Sequence, residues 1–259
     1  MKSLLKFELR KLFRMKLFYI CLGLVVGLAL LTVLGNYFLY RLTDAEWPGE
    51  LFGMFAPTAV SILRSELTEQ MCTLIIALFV TLYVCDDNRN NTLKNIYAKG
   101  YGRDGVYFSK FIIVLCVSVV FVFLDWLFAF VFGCMFFKVG SSDGTIAGTL
   151  VVQLLAVIAY VSLFYFITTL IKKTGGAVVT NVLVVVFFSL VLTLIDLVIY
   201  QIAKTDAFRI SDYWIDGIIS KVASESVEAK TFIISTVLSV VYAAGFIVGG
   251  MFFNRNREV

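Results

Sequence analysis

Six stretches of almost unbroken apolar residues divide the chain, at 17–40, 71–85, 111–137, 146–171, 177–203 and 231–253. Five of them run for 23 to 27 residues, and about 20 residues suffice for a helix to cross the hydrocarbon of a bilayer. The second has only 15 residues. It rises about 22 Å as a helix, so it must borrow Leu67 to Gln70 on one side or Asp86 to Asn88 on the other. The pattern predicts an all-α polytopic membrane protein: six transmembrane helices in a single transmembrane domain over 1–259. No small-x-small cleavage site closes the first run, which is therefore expected to remain as a span.

Three polar segments carry more information than the spans. The N-terminus, MKSLLKFELRKLFRMK, places Leu5, Leu9, Leu12 and Phe13 on one helical face and steps Lys2, Lys6, Arg10 and Arg14 by four along another. Over 1–16 this predicts an amphipathic helix lying in the membrane surface, its basic side toward anionic head groups. In the loop 86–110, Asn90 or Asn91 can cap a short helix, Leu93, Ile96 and Tyr97 fall at i, i+3 and i+4, and Gly100 can end it. That spacing makes an apolar ridge, either exposed for a partner or resting on neighbouring spans. The third segment, 201–230, sets Tyr213 and Trp214 among Asp206, Asp212, Asp216, Glu225 and Glu228. Its aromatic pair is expected at the membrane interface.

Charge decides the orientation. Fifteen lysines and arginines fall in the N-terminal segment, the 86–110 loop, the 172–176 turn and the C-terminal tail, against seven on the alternate side. The positive-inside rule then places both termini in the cytoplasm. The net charge of +4 is a topological signature and calls for no nucleic acid. Composition agrees: the chain is 60 % hydrophobic and 15 % charged, with a mean hydropathy of +0.93. A soluble catalytic fold is excluded.

The chemistry of hydrolysis is also missing. There is no histidine, which removes the commonest general base and metal ligand. The cysteines Cys21, Cys72, Cys85, Cys116 and Cys134 lie in or at the ends of apolar stretches, form no C-x-x-C pair and read as packing residues. No G-x-x-x-x-G-K-[ST] phosphate loop exists. Cofactor and metal are both expected to be absent from this chain. Two carboxylates, Asp125 and Asp196, lie within spans. Their depths differ by about 9 Å at about 1.5 Å per residue, too far for a shared-proton catalytic dyad. Asp125 is instead expected on a wet path, or protonated against a neighbour such as Gln153 or Asn181. Asp125, Gln153, Asn181 and Asp196 are the candidate transport-path residues. Gly23 with Gly27, and Gly245 with Gly249, stand four apart, a spacing that permits close helix contact between subunits.

The basic start reading ELRKLF, the six spans with both ends inside, and the NTLKN segment followed by Arg103, Tyr107 and Lys110 resemble the membrane subunits of type-2 ABC exporters. The resemblance implies that 1–16 is the elbow helix, carrying Leu5, Leu9, Arg10, Leu12 and Phe13. It implies that 90–99 is the coupling helix docking on the ATPase, with Thr92, Leu93, Lys94, Ile96, Tyr97 and Arg103 as coupling residues. Two copies of a cytoplasmic ABC ATPase would carry ATP and Mg, and a second permease, identical or homologous, would complete the path through a bacterial cell membrane. Peptides, antimicrobials, lipophilic compounds and sodium are handled by similar short permeases. Two other classes compete: a membrane receptor or immunity protein that binds a toxic peptide without moving it, and a proton-driven carrier working through Asp125.

Overall fold

The computed structural model describes residues 2–46, 57–68, 71–89, 92–140, 146–171, 173–203, 209–223 and 229–255. Among these the regular elements are all helical. Helices α1 (Lys2–Arg14) and α2 (Lys16–Glu46) are separated only by Met15, whose N–H reaches the carbonyls of Lys11 and Leu12 at 3.2 and 3.1 Å. Then follow α3 (Ala59–Thr68), α4 (Met71–Arg89), α5 (Thr92–Ala98), α6 (Arg103–Phe136), α7 (Ile146–Leu170) and α8 (Thr174–Ala203). A 3-10 turn at Ser211–Tyr213 leads into α9 (Ile215–Ala223), and α10 (Ala229–Arg255) completes the described chain.

Helices α2, α6, α7, α8 and α10 are long and apolar enough to span a membrane, and the short second stretch belongs to a bent helix pair, with α3 and α4 meeting at 46°. The 15-residue run is lengthened at both ends, by Asp86 to Arg89 within α4 and by α3 on the other side. Helix α3 is held by the segment just after α6: Ala59 N–H donates to Lys138 O at 2.9 Å and Val60 N–H to Val139 O at 3.3 Å. Thr58 and Ser61 cap its start reciprocally, each backbone N–H donating to the other hydroxyl oxygen, at 2.8 and 3.1 Å. Gly133 lets the two helices touch, since a Cβ there would lie 3.1 Å from Ala59 Cα.

The third span begins eight residues earlier than its apolar stretch. Residues 103–110 read RDGVYFSK, too polar for a hydropathy run, yet Val106, Tyr107, Ser109 and Lys110 form a buried face. Asp104 sits in the first turn, where the helix dipole favours an anion. The connection after α4 is therefore much shorter than the 25 residues of 86–110 read from the sequence.

The core forms where α4, α6 and α7 meet. Phe79, Val80 and Tyr83 of α4 pack with Val114 and Phe121 of α6 and Ala156, Tyr160 and Phe164 of α7. Helix α8 is the least buried span, touching the bundle through Ala177, Asn181 and Val185, one residue per turn. Both described ends of the chain lie on one side, because Arg103 at the start of α6 donates to the carbonyl of Arg255 at 3.3 Å. This is the N-terminal side; the opposite one is the far side.

Of the four glycines singled out by spacing, Gly23, Gly27 and Gly245 have open space around them and Gly249 faces this chain's own Phe166 at 3.5 Å. The close approach belongs to Gly250, where a Cβ would come within 2.0 Å of the Tyr107 hydroxyl.

Candidate functional site

On the N-terminal side, α1 lies against the bundle with Leu4, Glu8 and Leu12 inward, three residues spaced by four, and Lys11 beside them. The apolar face expected from the sequence is divided. Leu5 and Leu12 pack on the core, whereas Leu9 and Phe13 are 45 % and 54 % exposed and Arg10 is exposed. The docked face of α1 carries charge instead, because a charged cluster from two other helices meets it there.

That cluster is built from Glu8 and Lys11 of α1, Tyr83, Asp86 and Asp87 of α4, and Lys110 of α6. Asp87, 1 % exposed, accepts hydrogen bonds from both Lys11 and Lys110. Lys11 also stands 3.5 Å from Asp86 and 4.9 Å above the Tyr83 ring. The Tyr83 hydroxyl donates to Glu8 Oε2 at 2.7 Å. Two lysines thus face three carboxylates. Burial holds the Glu8 carboxyl above its ordinary value, against the pull of Lys110 and the Tyr83 hydrogen bond. Buried charges that lose a partner are costly, so this arrangement fixes α1, α4 and α6 to one another.

Helix α5 connects α4 to α6 directly beside this cluster. Ile96, 7 % exposed, is buried between Leu4 of α1 and Val106 of α6, with Tyr97 packed against them. The outward ridge expected of this helix is corrected at Ile96, which faces this chain's own N-terminal helix; the aliphatic side chain finds its apolar cover within the chain. The capping Asn90 and Asn91 lie outside the described residues, as do the side chains of Leu93 and Lys94. Thr92 is half-buried. Gly100 does end the helix: its φ is +83° and its N–H donates to Tyr97 O at 2.9 Å, a conformation that glycine adopts without a side-chain penalty. Ser3 of α1 reaches Tyr101 just beyond, 3.4 Å between hydroxyls.

The four transport-path candidates do not converge. Asp125 is 5 % exposed within α6. Gln153 of α7 donates to Leu67 O at 3.0 Å, tying α7 to α3. Asn181 of α8 donates to Thr81 of α4 at 2.6 Å and to Thr168 of α7 at 3.0 Å, so it is a three-helix tie nearer the N-terminal side. Asp196 accepts the backbone N–H groups of Ile210 and Ser211 at 2.7 and 2.9 Å, securing the far-side loop. Neither Gln153 nor Asn181 is the hydrogen-bonding partner expected for Asp125. A second buried carboxylate is Glu66 of α3, 6 % exposed.

Residues 4–195 match the family described as ABC-2 family transporter protein. The chain belongs to that family. No curated protein matches it. The matched region takes in the permease's α1, its charged cluster and α5, and it stops before the far-side excursion. This permease is a membrane transport component and not itself the ATPase, and its family works with an ABC ATPase.

Sequence reasoning passed over Glu8, Asp87 and Glu66 in the permease. A helical wheel contained the signal for two of them. Glu8 stands midway between Leu4 and Leu12, and Glu66 follows Ile62 by four, each on the stripe that becomes buried. Asp87 gave no such signal, because its partners come from residues 76 positions before it and 23 after.

Proposed function

We propose that this permease is half of an ATP-driven exporter, assembled with two copies of a cytoplasmic ABC ATPase and a second permease, identical or homologous. On this reading the N-terminal side faces the cytoplasm of a bacterial cell, and ATP and Mg bind on the ATPase. The cargo is a peptide, an antimicrobial or another lipophilic compound, leaving along a path between the two permeases, with Asp125 the carboxylate bordering it.

One observation carries the coupling mechanism: Ile96 of α5 is seated between Leu4 of α1 and Val106 of α6, two of the three helices that Asp87 holds together. A displacement of α5 is therefore delivered to three helices at once. The side of this unit available to an ATPase is the exposed strip Ala98 to Asp104, with Lys99 and Tyr101 prominent in it and Thr92, Leu93 and Lys94 opening the helix that leads to it.

The test is extraction of the tagged permease from its native membrane in mild detergent. An ABC ATPase should co-elute, and a panel of peptides and amphiphiles should contain one that stimulates ATP hydrolysis. A central aromatic anchor is worth about 2 kcal/mol or more at such an interface. Replacing Lys99 and Tyr101 together by alanine should thus release the ATPase or abolish its stimulation. If no ATPase accompanies the permease, the exporter reading falls; if the double variant keeps its ATPase and full stimulation, coupling does not pass through this strip.

A further inference from the structure

The far-side helix α9 is fastened at several points. It buries Ile215, Ile218 and Val222 to 2 % exposure or less, its Val222 carbonyl accepts from Thr149 of α7 at 3.2 Å, and the preceding Tyr213 carbonyl accepts from Tyr242 of α10 at 3.1 Å. On the same inward face it carries a carboxylate. Asp216 is 6 % exposed; one of its oxygens accepts the hydroxyl of Tyr160 of α7. The other, Oδ2, has no hydrogen-bond partner among the described residues.

Among the described residues no cation answers this charge. Lys221 of the same helix is committed to Asp212 at 2.8 Å, with its side chain 41 % exposed. Of the titratable side chains on the elements packed against α9, Tyr160 of α7 meets Asp216 directly, Tyr242 of α10 is engaged with Tyr213 and Asp212 with Lys221; Arg64 and Glu66 lie on α3 and are not among the groups acting on the carboxyl. Beside Asp216 on α8 stands Ser189, outside hydrogen-bonding geometry to Oδ2. The carboxyl feels burial, Tyr160 and Ser189, and no formal charge. Oδ2 presents less than 1 Å² of surface and is shut off from solvent.

We propose that Asp216 is a proton-operated latch: with its carboxyl protonated α9 stays docked on the bundle, and ionisation releases it. An ionised carboxylate in this position gives up its hydration for one hydrogen bond, whereas the released helix returns it to water. Burial accordingly pushes the carboxyl up to about 6, from an ordinary value of 3.8, although the Tyr160 hydroxyl pulls the other way and the start of a helix also favours an anion. The raised value means that the docked state binds the proton more tightly. Docking is therefore strengthened by acid and weakened as pH rises through about 6, by about tenfold in the docking equilibrium between pH 5 and pH 7.5.

The test uses the full chain, freed of its native cysteines, in lipid nanodiscs, with spin labels at Ser220 on the exposed side of α9 and Val151 on α7. The short, docked distance should dominate at pH 5 and lose population toward pH 8. Asp216→Asn, a neutral amide in the same place, should stay docked throughout. Tyr160→Phe removes a donor that favours the anion, so the transition should move to higher pH. A parent distance unchanged from pH 5 to pH 8, an Asp216→Asn variant that keeps the parent's pH response, or one undocked at every pH would each overturn the latch. None of these outcomes bears on coupling to the ATPase.

Discussion

Asp87 provides the most direct test of whether the charged cluster holds α1, α4 and α6 together. Asp87→Asn keeps the shape of the side chain and removes the charge shared by Lys11 and Lys110. Lys110 is 3 % exposed and has no water to turn to, so the variant leaves a buried ammonium facing an amide. Breaking a pair at that degree of burial costs about 3–5 kcal/mol. The far-side pair Asp212–Lys221 is a built-in control. Its side chains are 27 % and 41 % exposed, and Asp212→Asn should cost under about 1 kcal/mol, as exposed pairs do.

Adding Lys110→Met to Asp87→Asn should recover part of the loss, because the charge left stranded is removed as well. Charge exchange between Asp87 and Lys110 should not recover it, since Lys11 would then face a lysine. Unfolding in mixed micelles with rising SDS, followed by tryptophan fluorescence, gives these differences directly. An Asp87→Asn cost no larger than that of Asp212→Asn would refute the reasoning, as would strict additivity of Asp87→Asn and Lys110→Met.

Gly250→Ala places a methyl group 2.0 Å from the Tyr107 hydroxyl and should destabilise the permease by about 1–3 kcal/mol, as overpacking does; Tyr107→Phe should rescue it in the same unfolding assay, because it removes the clashing oxygen. Glu8→Gln keeps an acceptor for Tyr83 and should leave stability at pH 7 equal or higher. A carboxyl held above its ordinary value contributes stability when protonated and loses it as pH rises, so the variant should also flatten stability against pH on the alkaline side of 4.5. Asp125→Asn should alter substrate-stimulated ATP hydrolysis while leaving membrane abundance unchanged; equality with the parent in both would leave Asp125 a packing residue.

The sequence by itself determined the membrane class and the number and placing of the apolar helices. Apolar length is a one-dimensional quantity: a run such as 146–171 has to be a span wherever its neighbours lie, and α7 at Ile146–Leu170 departs from it by a single residue. The stop at Gly100 was legible for the same reason, since a positive φ is a local demand. Limits set by polarity were less secure. The start of α6 was hidden because Lys110 and Ser109 are polar yet buried, and only a partner on another helix makes that burial tolerable.

What the tertiary structure alone decided is which residues meet. Ile96 could not be read as inward-facing without Leu4 and Val106 beside it. Asn181 and Gln153, matched to Asp125 on the grounds of polarity, satisfy other helices instead. Asp216 stood in the sequence as one acid among five in an apparently solvated excursion. Its chemistry follows from α9 folding back onto α7, which takes the carboxyl out of water and leaves Tyr160 as its donor. A buried polar group has to be satisfied by whatever packing brings to it, and that contact is a property of three dimensions.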